Sequence, residues 1–261
     1  MNAFLVLPAL LLGAGVRSDS QPVAFEFVDA DSFEGRNVAQ YRAIEFRDKP
    51  ARPLPADFHP GPNARYGLLP VGPRPETALA VVWCPKAAGG PVLWLDANGD
   101  GRFSADQRHP MPGPKLELPA TIAVQLQPTR QQVQRTLIFR RSALGDGLRY
   151  AVRGFARGTL SLGKTKHAVL LIDGNADACF DTVGQDRVWI DLDGDGRFDP
   201  FTEQFLLGKP IAKGGEVYLV RSDPLASAVR VNQRSADRGK LRLTLAVQST
   251  PSAKIAAELV S

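Results

Sequence analysis

From about Leu68 onward the chain is a succession of short apolar runs closed by turn residues: LLPVG, ALAVVW, PVLWL, TIAVQL, TLIFR, YAVRG, HAVLLID, RVWID, EVYLV and LRLTLAV. Runs this short leave no room for helices of several turns, and the β-branched and aromatic residues in them fit a pleated surface. Where apolar and polar residues alternate, as in TRQQVQRTLIFRR, the polar set that includes Arg130, Arg135, Arg140 and Arg141 marks the solvated face of a strand. Ahead of this region, VAFEFV predicts one more strand and the stretch Val38 to Phe46 a short helix. ARPLPADFHPGPNARYG predicts an extended connector. The pattern therefore predicts an all-β protein, either a β-sandwich or two packed β-modules. An N-terminal segment over residues 21–66 would precede modules over 67–142 and 143–261.

The first twenty residues, MNAFLVLPALLLGAGVRSDS, follow another rule: an apolar run from Ala3 to Leu12 is followed by small residues. That order resembles a secretory signal over residues 1–20, although the usual positive start is missing. The run is too short to span a bilayer, and no later apolar stretch reaches that length, so no membrane span is expected. The expected location is secreted, periplasmic or cell-surface.

Composition adds little to this: 44% hydrophobic and 23% charged residues are ordinary globular values, while 24 Gly and 21 Pro agree with many turns. Charge is more informative in its distribution. The chain carries +5 overall, yet residues 173–203 hold nine acidic side chains against only Arg187 and Arg197. The basic residues elsewhere are scattered, without a basic run interleaved with aromatics, so nucleic acid is not an expected partner. Cys84 and Cys179 read either as one disulfide of an oxidising compartment or as two buried thiols.

The acidic segment contains a motif that occurs twice. Trp94-Leu-Asp-Ala-Asn-Gly-Asp-Gly-Arg-Phe103 matches Trp189-Ile-Asp-Leu-Asp-Gly-Asp-Gly-Arg-Phe198 at an offset that Cys84 and Cys179 share, which reads either as an internal repeat from a duplicated β-module or as chance or convergent loop chemistry, since sequence outside the loops is not visibly similar. Carboxylates at alternate positions around a glycine have the spacing of a calcium loop. In such loops positions 1, 3, 5 and 9 supply side chains, position 7 a carbonyl and position 12 a bidentate carboxylate. One loop offers Asp191, Asp193, Asp195, the Arg197 carbonyl and Asp199. The other offers Asp96, Asn98, Asp100, the Arg102 carbonyl and Ser104. Position 12 holds Thr202 or Gln107, so Glu203 and Asp106, one residue away, are the candidate substitutes. A third set, Asp173, Asn175, Asp177 and Asp181, lacks glycine at position 6. Crowded carboxylates repel unless a cation neutralises them or they take up protons, and all-oxygen ligands favour Ca²⁺ over softer metals.

Gly89, Gly90 and Pro91 before the first loop, and Gly184 before the second, exclude an entering helix. Ser104-Ala-Asp-Gln and Asp199-Pro-Phe-Thr-Glu each read as an N-cap with one helical turn. Strand, acidic loop and short helical turn together resemble the dockerin-type half EF-hand and, more broadly, DxDxDG loops set into secreted bacterial β-rich proteins. The resemblance covers residues 94–107 and 173–205. It implies calcium binding and is silent about activity. Cohesin binding is not implied, because these loops are far apart in sequence and lack full helices.

Other signals are weaker. GTLSLGKT, residues 158–165, matches a phosphate-loop expression, but the following KHAVLLID reads as a strand where a helix is required, so the segment is expected to be a hairpin. His59, His109 and His167 lie in unrelated contexts. Trp94, Trp189, Phe103 and Phe198 flank the loops as anchors of their stems. The expectation is a non-enzymatic, exported calcium-binding protein whose loops stabilise a β-rich scaffold. The alternatives are a calcium-dependent glycan- or cell-surface-binding module and a secreted hydrolase with structural calcium.

Overall fold

A computed structural model describes residues 21–72, 77–126, 129–142 and 146–235. The N-terminal signal-like segment and the LRLTLAV run lie outside the described residues. The fold is all-β. Its strands are β1 (Glu26–Val28), β2 (Ser32–Phe33), β3 (Arg36–Asn37), β4 (Arg42–Ala43), β5 (Arg65–Leu69) and β6 (Leu79–Cys84). They continue with β7 (Val92–Leu95), β8 (Arg108–Pro110), β9 (Lys115–Leu126), β10 (Thr129–Arg141), β11 (Leu148–Val152) and β12 (Phe155–Leu162). The last six are β13 (Thr165–Ile172), β14 (Arg187–Ile190), β15 (Gln204–Leu206), β16 (Ile211–Lys213), β17 (Glu216–Arg221) and β18 (Arg230–Ser235). A 3₁₀ turn, Ala105–Gln107, precedes β8.

All the pairings are antiparallel. The sheets β5-β6-β7-β8 and β4-β11-β10-β9 share one core, built on Leu69, Trp83, Leu95, Ile122, Phe139 and Tyr150. The sheets β1-β12-β13-β14-β15 and β16-β17-β18 share a second, built on Leu160, Val169, Leu171, Val188, Tyr218 and Val220. Burial alternates along β9, which turns one face inward, whereas β6, β13 and β14 are buried on both faces. Strand β11 carries the first core past residue 143, because it pairs with β10 from Leu137↔Val152 to Arg141↔Leu148.

The helix expected over Val38–Phe46 does not form. Arg42 and Ala43 instead pair with Tyr150 and Arg149 of β11, and the Ile44 amide donates to the Leu148 carbonyl at 3.0 Å. Val38 and Ile44 each enter a different core cluster, so partners outside the segment take the hydrogen bonds and side chains a helix would need. On β10, Arg130, Arg140 and Arg141 are exposed as the alternation predicts. Arg135 is half-buried instead, its guanidinium 3.9 Å from the centre of the Phe27 ring.

GTLSLGKT forms the β12–β13 hairpin, closed at Leu162↔Thr165 with Gly163 at φ +64°. Its first glycine has a packing role. Phe25 lies so close over Gly158 that a Cβ there would meet the ring at 2.3 Å. The two cysteines are free buried thiols. Cys84 ends β6, whereas Cys179 sits in the connection from β13 to β14, so their common offset does not place them at equivalent points.

Candidate metal centres

The three acidic segments are the connections β7–β8, β13–β14 and β14–β15, each leaving one strand of a sheet and returning on the next. Their backbones follow one hydrogen-bond scheme. The position 1 carboxylate accepts at least two amides of its own turn, and Asp173 accepts a third from Asn175. Asp96 accepts from Asp100 and Gly101, Asp173 from Asp177 and Ala178, and Asp191 from Gly194 and Gly196. Position 3 accepts from position 5, in Asn98←Asp100, Asn175←Asp177 and Asp193←Asp195. Position 5 accepts from position 7, in Asp100←Arg102, Asp177←Cys179 and Asp195←Arg197. This self-bonded carboxylate cage leaves the loop no freedom to extend and keeps its oxygens on the inside of the turn.

The scheme corrects one expectation about the third loop. Glycine at positions 4 and 6 of the other loops adopts φ between 71° and 80° (Gly99, Gly101, Gly194 and Gly196), and Ala176 and Ala178 adopt φ 59° and 70° at the same positions. Alanine in this region costs about 1 kcal/mol. Here both methyl groups are buried in the first core, which offsets the strain. The absence of glycine at position 6 therefore does not separate this loop from the other two.

Each loop is closed by one side chain reaching back across it. In the β14–β15 loop this is Glu203, which accepts from the Leu192 and Asp193 amides through Oε1 and from Asp199 at 2.9 Å through Oε2. In the β13–β14 loop it is Asp186, which accepts from Gly174 at 2.9 Å and Thr182 at 2.6 Å. In the β7–β8 loop it is Gln107, whose Oε1 accepts from Ser104 and whose Nε2 donates to Asn98. Ladder register explains the displaced Glu203. Trp94 pairs with Arg108 but Trp189 with Gln204, so the second hairpin is one residue longer, and its closing carboxylate falls one place later. Asp106, the substitute expected from sequence, faces outward and accepts from the Ser104 hydroxyl, so Gln107 and not Asp106 closes that loop.

Burial isolates these residues. The buried polar side chains among the described residues are Asp96, Gln107, Asp173, Asp186, Asp191, Glu203 and His167. Six are the first and closing residues of the loops. The seventh supports one of them: His167 Nδ1 lies 2.7 Å from the Asp191 carbonyl, and Lys213 Nζ lies 2.9 Å from His167 Nε2 and donates to the Leu192 carbonyl at 2.8 Å. If Lys213 donates to Nε2, the imidazole is the neutral tautomer that donates through Nδ1. No sequence signal links Lys213 or His167 to the loop, because they reach it from other strands.

The loops differ in what they gather. Asp191, Asp193 and Asp195 bring three carboxylate oxygens within 4.8 Å of one another, with Asp193 and Asp195 exposed. Asp199 instead caps the following turn, accepting from Phe201 at 2.8 Å, and Glu203 N donates to the Asp199 carbonyl, so a single hydrogen-bonded turn without regular helix stands where the sequence predicts one helical turn. In the first loop the Asn98 amide donates to Asp100 at 2.9 Å, and a neutral amide, Gln107, takes the closing place. The third is the most deeply set. Burial and the neighbouring carboxylates push Asp173 well above the usual carboxylate range, burial raises Asp177, and Asp181 and Asp186 rise to about 6 and about 7.

Those shifts set a pH dependence. Without a cation, folded Asp181 and Asp186 hold protons that the unfolded chain, near 3.8, releases earlier, so stability is lost as pH rises from about 4 through 7. Glu117, held low by Lys115 and Arg153, acts in the opposite sense below the ordinary carboxylate range, and His109, lowered from 6.5 by burial, offsets part of the change on the acid side of 6.5. The melting temperature in chelator should thus fall between pH 5 and pH 8, and calcium should flatten the profile. A rise in chelator across that interval would contradict the assignment.

The aromatic residues beside the loops serve as anchors. Trp189 is 7% exposed and packs with Phe198, Phe33 and Phe155, while half-buried Trp94 meets Phe58 edge-on at 5.1 Å and Phe103 stacks on Phe58 at 4.6 Å. No helix among the described residues is long and apolar enough to cross a membrane. Comparison with known proteins gives no matching family model, curated protein or solved structure.

Proposed function

We propose that this chain is an exported, non-enzymatic calcium-binding protein, in which Ca²⁺ held by EF-hand-like loops ties neighbouring strands together and stabilises the β scaffold. The observation that carries the reading is the convergence of Asp191, Asp193 and Asp195 oxygens within 4.8 Å, on a loop already closed by buried Glu203. Three anionic groups at that separation repel strongly, and a hard divalent cation removes the repulsion while matching the all-oxygen donor set. Export rests on the sequence of the first twenty residues.

Titration calorimetry of the calcium-free chain tests the proposal. Binding should saturate with a dissociation constant on the order of 10⁻⁴ to 10⁻³ M, the range of extracellular modules. Asp193→Ala, which removes an exposed ligand and no core contact, should weaken it at least tenfold. No binding heat at 10 mM calcium, about ten times the upper end of that range, would remove the proposal.

A further inference from the structure

We propose that Arg140 and Arg149, on the outer face of the β4-β11-β10-β9 sheet, form a binding site for a phosphate monoester group, apart from the acidic loops. The ladder register sets Lys115, Arg140 and Arg149 side by side on β9, β10 and β11. Residues opposed in this way have Cα atoms about 4.5–5.5 Å apart, so the two arginines share one patch of surface. One residue holds both. Tyr41 packs with Ala39, Ile138 and Ala151 on the same face, the Arg140 guanidinium lies 4.7 Å from the centre of its ring, and its carbonyl accepts from Arg149 Nη2 at 3.0 Å. Both arginines are nonetheless exposed, so each guanidinium keeps N–H donors open to solvent.

Like charges directly opposite one another destabilise a sheet unless a group of opposite sign relieves them. Their neighbours on this face are relieved within the chain: Lys115 meets Asp31 at 3.2 Å and Glu117 at 2.6 Å, and Arg153 meets Glu117 at 2.8 Å and Asp29 at 3.0 Å. Among the described residues Arg140 and Arg149 form no ion pair. Strands β4, β9, β10 and β11 carry seven basic side chains and one acidic, Glu117, so the sheet has no further carboxylate to offer them. A bound dianion neutralises what solvent only screens. A phosphate monoester brings a charge of about −1.5 to −2 at pH 7 and three acceptor oxygens, enough for two planar forks, whereas one fork already satisfies a carboxylate. The exposed large apolar residues among those described are Val23, Val183, Phe201 and Leu206, none of them on these strands, so this face offers hydrogen bonds and not an apolar contact.

Titration calorimetry of the full chain with inorganic phosphate tests the site, in calcium-free buffer so that neither the acidic loops nor calcium phosphate intervenes. Saturable binding is expected with a dissociation constant on the order of 10⁻³ M, the scale that a few charge-assisted hydrogen bonds supply at an exposed place. Arg140→Lys and Arg149→Lys keep the charge and lose the fork, so each should weaken binding about fivefold or more. Arg130→Lys, at the far end of β10, should leave it unchanged. Uptake that does not saturate, or that all three variants weaken alike, is nonspecific screening and would overturn the site. Phosphatidylcholine vesicles with and without phosphatidic acid then identify the source of the group. Sedimentation that requires phosphatidic acid and is lost in Arg140→Lys assigns the phosphate to a lipid, and sedimentation with neither vesicle assigns it to a soluble molecule. Because calcium is absent from the titration, its failure leaves the calcium reading of the loops untouched.

Discussion

Chelating calcium from the saturated protein is expected to lower its melting temperature by about 5–10 °C, and Asp193→Asn should remove a large part of that difference. An ion that binds only the folded chain stabilises it by about 2.7 kcal/mol at a hundredfold excess over its dissociation constant, and in a chain of this size each kcal/mol moves the midpoint by about 2–4 °C. Asp193 suits the test because it is exposed and accepts only the Asp195 amide. Asparagine preserves that acceptor, so the calcium-free midpoint should hardly change while the calcium increment shrinks. Asp191→Ala would be a poorer probe. It also strips the acceptor of Gly194 and Gly196 from a buried place, and so destabilises the loop with or without the ion. Scanning calorimetry in calcium and in chelator separates the two effects.

The second large effect should come from one methyl group. A Cβ on Gly174 would lie 1.9 Å from the Gln185 carbonyl oxygen and 2.7 Å from its carbon, so the atoms in the way are backbone and cannot rotate aside. The two ends of the β13–β14 loop pass each other at this point, where the Gly174 amide donates to Asp186. Gly174→Ala must therefore part them, breaking the closure and withdrawing Ala176, Ala178 and Cys179 from the first core. A loss of about 3 kcal/mol is expected, at the upper end for overpacking, with a melting temperature lower by about 6–12 °C. Gly113→Ala is the control. A Cβ there meets nothing within 4 Å, and the change should stay within about 0.5 kcal/mol. Equal midpoints for the two variants would show that the loop is looser than its hydrogen bonds imply.

What the sequence revealed and what it hid follow from the range of the interactions. The strands were legible because each rests on its own apolar run and turn residues, and HAVLLID and RVWID appear as β13 and β14 where the pattern places them. The carboxylate positions were legible too, since the cage of each loop is made within a few residues. Long-range effects were not. The failure of a helix at Val38–Phe46 depends on β11, about a hundred residues onward, and the support given by His167 and Lys213 to the Asp191 loop arrives from two other strands. The β13–β14 loop departs from the motif in sequence, because alanine stands where glycine is usual. Only the packing of those alanines in a distant core explains why the chain tolerates φ values of 59° and 70° there. The closing residues were half visible: Glu203 was a candidate, but which neighbour of position 12 turns inward is fixed by hairpin register, which a motif does not record.

Crystals grown in 10 mM calcium, with data collected for anomalous scattering, put the central claim to its most direct test. The account predicts a peak in the β14–β15 loop about 2.3–2.6 Å from oxygens of Asp191, Asp193 and Asp195, the distance hard oxygen ligands keep from calcium. Featureless density there, with the three carboxylates turned outward to solvent, would contradict it.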